Sequence, residues 1–233
     1  MSTDPTPGHA VVTGATGGIG QAVVQRLLDG RWRVTGLDLG PAVTRHPAYR
    51  HVTVDLCDDA ATHRALQGLD NATALVHAAG LLRVAPLAQS ESADGELMWK
   101  LHVDAAVRLT RDLAPAMVAQ GGGRVVLVGS RVAQGMPGRG QYAASKAALV
   151  ALARSWGAEL AGQGVTVNVM SPAATQTGML EDPARAVSPA RMPPIGRLIQ
   201  PGEIAALVVF PPVVSLLCSR TPRIATAGVG GGL

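Results

Sequence analysis

The chain has 233 residues, 47 % of them apolar and 15 % charged, with a formal net charge of +4; that length buries an extended core unaided and predicts one domain, 1–233. Two cysteines, Cys57 and Cys218, exclude a disulfide framework, and residues 1–5 lack the basic flank and apolar core of a signal peptide, so a cytoplasmic setting is expected. The longest apolar stretch, 204–218, is broken by Pro211 and Pro212 and falls short of the ~20 residues of a membrane span, while scattered arginines and 3 % aromatic content argue against nucleic acid. A cationic pocket for a small anion stays open.

Short β-rich runs alternate with helical patterns along the chain. The first strand is predicted at His9–Thr13, followed by a helix at 20–29 that places Val23, Val24, Leu27 and Leu28 on one face. Further strands are predicted at Arg33–Asp38, 51–54, 73–77, 124–129 and 165–170, with a second clear helix at 144–161 carrying Leu149, Leu152, Trp156 and Leu160. Near-continuous apolar strands separated by helices imply right-handed crossovers and a doubly wound parallel sheet of α/β class. In such sheets the loops after the strands carry the chemistry.

The first of those loops reads Thr13-Gly14-Ala15-Thr16-Gly17-Gly18-Ile19-Gly20. Its glycines at 14, 18 and 20 permit a tight turn, close approach of backbone to a pyrophosphate, and close packing of helix on sheet. Asp38 ends the second strand 18 residues after Gly20, where a carboxylate can accept hydrogen bonds from both ribose hydroxyls and repel a 2′-phosphate; that favours NAD over NADP. A turn-capping role for Asp38 is the plainer alternative. No arginine follows Asp38 directly, where Leu39 stands, and none lies inside the glycine loop. Asp55, beside Leu56, either meets the adenine or stops the third strand, and small residues at Ala78, Ala79 and Gly80 either seat the cofactor or simply pack.

Ser130 follows the fifth strand, and Tyr142 and Lys146 stand in Tyr142-Ala143-Ala144-Ser145-Lys146. The i, i+4 spacing sets phenol and ammonium side by side on one helical face. A tyrosine of ordinary pKa ~10 is a poor base near neutrality, and a neighbouring ammonium favours its phenolate. Only Lys100 and Lys146 are lysines, in a chain that otherwise writes its cations as arginine, which suggests a need for a compact ammonium.

These residues resemble the classical short-chain dehydrogenases/reductases, whose glycine loop, serine and YxxxK elements stand here at 13–20, Ser130, Tyr142 and Lys146. Within that family the chain is similar to the bacterial 2,3-dihydro-2,3-dihydroxybenzoate dehydrogenases. That likeness rests on Val34-Thr35-Gly36-Leu37-Asp38, Ala78-Ala79-Gly80-Leu81-Leu82-Arg83, Glu159-Leu160-Ala161-Gly162-Gln163-Gly164-Val165 and Pro194-Ile195-Gly196-Arg197-Leu198. The resemblance implies a Rossmann-type fold with a mainly parallel seven-stranded sheet, a homotetramer, and NAD-dependent oxidation of a dihydroaromatic carboxylic acid in siderophore or antibiotic biosynthesis. The dihydro-3-hydroxyanthranilate type is equally compatible. Tyr142 would take the hydroxyl proton, Lys146 would hold the nicotinamide ribose, and Ser130 would fix the substrate oxygen. Thr175 and Thr177, with Pro172, would meet the carboxamide and phosphate. The substrate carboxylate needs a cation, for which Arg83, Arg131 and Arg139 are the candidates; no metal is implied.

The chain departs from the family at several points. His102 stands where a catalytic asparagine is usual, either organising a relay water or standing by on its helix. Ser130 precedes Tyr142 by 12 positions, one fewer than is common, and Pro172 is followed by Ala173 in place of glycine. The C-terminus reads Arg223-Ile224-Ala225-Thr226-Ala227-Gly228, which predicts a weakened edge strand. Residues 177–199, rich in Pro, Met and Arg, read as a substrate lid or as a disordered connector. A ketoreductase of another alcohol or ketone, and an NAD-binding protein without turnover, are the competing readings.

Overall fold

The computed structural model describes residues 8–181, 183–209 and 224–227. Seven parallel strands form one sheet: β1 (His9–Thr13), β2 (Arg33–Asp38), β3 (Tyr49–Thr53), β4 (Ala74–His77), β5 (Gly123–Val128), β6 (Val165–Pro172) and β7 (Ile224–Ala227). Their order is β3-β2-β1-β4-β5-β6-β7, so the winding reverses between β1 and β4, where Thr13 pairs with Leu37 on one side and His77 on the other. This is the Rossmann-type arrangement that the alternation of apolar runs and helices predicts.

Both faces of the middle of the sheet are covered, which is why β1 and β4 are buried along their whole length, whereas edge strand β3, Tyr49-Arg50-His51-Val52-Thr53, is polar and half-exposed. Along β1, Val11 faces a cluster with Leu75, Leu127 and Val167 under α2 (Asp59–Leu66), α4 (Ala105–Ala119) and α5 (Gly140–Leu160). Ala10 and Val12 face the opposite cluster under α1 (Gly18–Asp29) and α6 (Pro201–Val208), with Val24, Leu27 and Ala205. Every residue of β1 is buried.

Several boundaries differ from the sequence reading for physical reasons. Helix α1 begins at Gly18 and α5 at Gly140, each ahead of the first strong apolar position, because their opening turns pack residues that periodicity does not count. The third strand lies at Tyr49–Thr53 rather than 51–54, in register with Val34–Asp38 of β2. The weakened edge strand expected at the C-terminus is a four-residue strand, β7, in register with Val169–Pro172; Gly228 and the residues after it lie outside the described residues, as do 1–5, Pro211, Pro212 and Cys218. Between β4 and α4 the chain forms α3 (Ser92–Trp99) and then a π-turn, Lys100–Asp104, which no sequence signal announces. Residues 177–199 contain two short 3₁₀ turns, Gly178–Leu180 and Pro183–Val187. No described helix is long and apolar enough to cross a membrane.

Candidate active site

The carboxyl ends of the strands open onto one cleft of about 1210 Å3. At one end it is lined by Gly14, Thr16, Gly18, Ile19, Gly20, Asp38, Leu39, Asp55 and Leu56; along the middle by Ala78, Ala79, Gly80, Pro172, Thr175 and Thr177; at the other end by Ser130, Tyr142 and Lys146. Residues spread over 164 positions of sequence, Gly14 to Thr177, meet there because parallel strands bring all their following loops to the same edge.

The glycine loop is built by close contacts. Gly14 sits at φ +64°, and a Cβ there would lie 2.7 Å from the Ala79 nitrogen. A Cβ at Gly20 would lie 1.9 Å from the Gly14 carbonyl oxygen, and one at Gly18 would lie 2.7 Å from Thr177 Cγ2. Gly17, the N-cap of α1, offers no side-chain acceptor, so the first-turn N–H groups of a helix whose opening residues line the cleft have no capping side chain. Such a helix end suits a phosphate anion.

Asp38 closes this end. Its Oδ2 accepts from the Thr16 N–H at 2.9 Å and its Oδ1 from the Gly40 N–H at 3.1 Å. Burial opposes its ionisation, but the hydrogen bonds from Thr16 and Gly40 outweigh it and hold the carboxyl below its ordinary pKa. Asp38 is therefore both a turn fastener and an ionised carboxylate facing the cleft. Asp55 accepts from the Cys57 N–H at 2.8 Å just after β3 and also lines the cleft.

At the far end, the opening turns of α5 hold Tyr142 and Lys146 on one buried face, with Lys146 Nζ 5.7 Å from the Tyr142 ring centroid. Lys146 Nζ donates to the Val128 carbonyl at 2.9 Å, and burial brings its pKa down to about 7. Ser130 caps the turn Arg131–Gln134 by accepting from the Val132 N–H at 3.1 Å. A phenol, an ammonium and a hydroxyl thus share the end of the cleft opposite an anion seat and a carboxylate. The arrangement suits proton transfer from an alcohol beside an extended dinucleotide.

His102, expected either to organise a relay water or to stand by on its helix, lies outside the cleft lining with both ring nitrogens bonded to protein groups. The imidazole is fully buried behind Gly80, whose added Cβ would lie 3.1 Å from His102 Nε2. Nε2 accepts from the Leu81 N–H at 3.1 Å, which leaves Nδ1–H to donate to Ser145 Oγ at 2.9 Å; Ser145 in turn donates to the Tyr142 carbonyl. With both nitrogens engaged, His102 braces the β4 loop against α5. A second imidazole, His77, does comparable work at the sheet. The Ala79 N–H donates to Thr13 Oγ1, Thr13 donates to His77 Nδ1 at 2.8 Å, and His77 Nε2–H points to the Leu101 and His102 carbonyls, each at 3.2 Å. Burial lowers both histidines' pKa, that of His77 to about 3, and both are neutral. Sequence reading missed the roles of His77 and Ser145, since their partners lie far along the chain.

The three candidate arginines separate. Arg83 is outside the cleft lining, with its Nε 3.5 Å from Asp94 Oδ1. Arg139 lines the cleft but is buried, donating from Nε to Ser188 Oγ at 3.0 Å and from Nη2 to the Ser188 and Pro189 carbonyls. Its guanidinium is a tether for residues 177–199. Arg131 lines the cleft as expected, and so does Arg191, which the sequence does not single out.

A family model described as short chain dehydrogenase matches residues 8–187. The chain is 34 % identical over 216 residues to 2,3-dihydro-2,3-dihydroxybenzoate dehydrogenase of Escherichia coli, covering 85 % of this chain and 87 % of that protein. It is 32 % identical over 166 residues to a 3-oxoacyl-(acyl-carrier-protein) reductase of Thermotoga maritima, covering 68 % and 65 % respectively. Among solved structures, one from Beutenbergia cavernae, described as an NAD(P)-dependent gluconate 5-dehydrogenase with NADP bound at low occupancy, superposes with a TM-score of 0.79 at 28 % identity over 94 % of each chain.

Proposed function

The chain belongs to the short-chain dehydrogenase family of NAD(P)-dependent oxidoreductases, and from that premise we propose that it catalyses the NAD-dependent oxidation of a dihydroaromatic carboxylic acid. The substrate is of the 2,3-dihydro-2,3-dihydroxybenzoate or dihydro-3-hydroxyanthranilate type. The observation that carries the reading is the pairing of Tyr142 and Lys146 at one end of a cleft whose other end holds the ionised Asp38. The E. coli relative, matched over most of both chains, supports the acid.

In this mechanism the glycine loop, the start of α1 and Asp38 hold the dinucleotide, and Ala78–Gly80, Pro172, Thr175 and Thr177 line its course. Bound NAD supplies the hydride acceptor. Ser130 hydrogen-bonds the substrate oxygen, and Tyr142 takes the hydroxyl proton as the C–O bond becomes a carbonyl. In its protonated form, which it keeps below about pH 7, Lys146 beside the ring favours the phenolate. The ketone then loses a ring proton and tautomerises to the aromatic product, which makes the oxidation one-way. Residues 177–199 form the lid that excludes water while this occurs, and the working unit is a homotetramer acting on a soluble anion.

Reduction of a carrier-bound ketone is the second reading, favoured by the T. maritima relative. The two separate on cofactor and substrate. Purified protein is expected to produce reduced nicotinamide from one of the two acids with NAD and far less with NADP. Tyr142→Phe should lower kcat by ~10²- to 10⁴-fold with NAD binding retained. Silence with both acids, alongside measurable dinucleotide binding, would overturn the proposal.

A further inference from the structure

Building on that reading, we infer that Arg191 is the group that recognises the substrate's carboxylate, so that the segment covering the cleft also selects for its charge. The charges lining the cleft are segregated. Asp38 and Asp55, the carboxylates among its described lining residues, both lie at the dinucleotide end, whereas Arg131 follows Ser130, Arg139 and Lys146 flank Tyr142 along α5, and Arg191 follows the Ser188–Pro189 stretch that Arg139 holds. An anion entering the Tyr142 end therefore meets cations and no opposing carboxylate.

These four cations are not equivalent. Lys146 is bound to the Val128 carbonyl beside Tyr142, and Arg139 is occupied by the Ser188 and Pro189 carbonyls. Arg131 belongs to the turn that Ser130 caps. Arg191 is exposed, two residues beyond the carbonyl that Arg139 holds, and makes no hydrogen bond or ion pair among the described residues. The tether at Ser188 and Pro189 fixes the base of this limb, and Met136, Met179, Met192 and Pro194 are apolar residues lining the same cleft. A planar ring against methionine thioethers, with its carboxylate on a guanidinium fork, matches these surfaces.

The test is binding of 2,3-dihydroxybenzoate and of catechol, its counterpart without the carboxylate, to the full NAD-saturated protein by calorimetry. Wild type is expected to prefer the acid by ~10- to 100-fold. Arg191→Gln should lose that preference with catechol affinity unchanged, Arg191→Lys should keep part of it, and Arg154→Gln, at an exposed arginine of α5 outside the cleft lining, should behave as wild type. Arg191→Gln binding the acid as tightly as wild type would overturn the inference, as would a wild type that does not discriminate. Turnover of the dihydro acid is measured in parallel. If the charge preference depends on Arg191 and no turnover appears, the anion site stands and the proposed oxidation fails.

Discussion

Single residues carry the charge logic of the site. Asp38 is held ionised by hydrogen bonds from the Thr16 and Gly40 N–H groups, and a 2′-phosphate beside it would be repelled. Asp38→Ser should raise kcat/KM with NADP relative to NAD by about tenfold or more, measured with both cofactors on one substrate. Lys146 has a folded pKa of about 7 against an ordinary 10.5. Between those values the unfolded chain holds a proton that the folded chain has released, so stability rises with pH across that window, by up to ~1.4 kcal/mol per pH unit. Lys146→Met should remove that rise in urea unfolding followed from pH 7 upward. His77 is lowered to about 3 from 6.5, and the same linkage makes stability fall as pH drops from about 6.5 toward 3. His77→Gln should flatten that acid limb.

At the scale of elements, the glycine loop depends on backbone contacts more than on glycine content. A Cβ at Gly20 would sit 1.9 Å from a carbonyl oxygen, whereas one at Gly17 would come no closer than 3.4 Å to a non-adjacent atom, the Gly14 oxygen. Gly20→Ala should therefore cost roughly 2 kcal/mol or more and weaken dinucleotide binding, while Gly17→Ala should unfold within about 0.5 kcal/mol of wild type. Thr175 pairs with Ile199 across the two ends of the segment between β6 and α6, and its Ser188 is held by Arg139 and the Pro137 carbonyl. Arg139→Ala should raise protease cleavage within 177–199 and raise KM more than it lowers kcat, because the loop loses its central fastening while Tyr142 and Lys146 keep theirs.

At the scale of the whole molecule, the cleft joins loops from across the sheet, so a ligand spanning it ties those loops to one another. NAD at a hundred times its Kd should stabilise the fold by ~2.7 kcal/mol. For a chain of this size that is a Tm increase of about 5–11 °C in a thermal melt, with a smaller increase at equal NADP. An equal shift with both nucleotides would contradict the discrimination assigned to Asp38.

Where the information was local, the amino-acid sequence was enough. The i, i+4 spacing of Tyr142 and Lys146, the glycines at 14, 18 and 20 and the apolar strands ahead of each loop are short-range patterns, and periodicity with backbone sterics decides their outcome. The doubly wound sheet follows from their alternation. What the tertiary structure alone decided were partnerships across long separations: Arg139 with Ser188, 49 positions on, and His102 with Ser145, 43 positions on. No local pattern tells a guanidinium spent on backbone carbonyls from one that faces a cleft, or an imidazole bracing two loops from one that moves protons. Those identities depend on which groups the fold brings within hydrogen-bond reach and which it leaves turned toward the cleft.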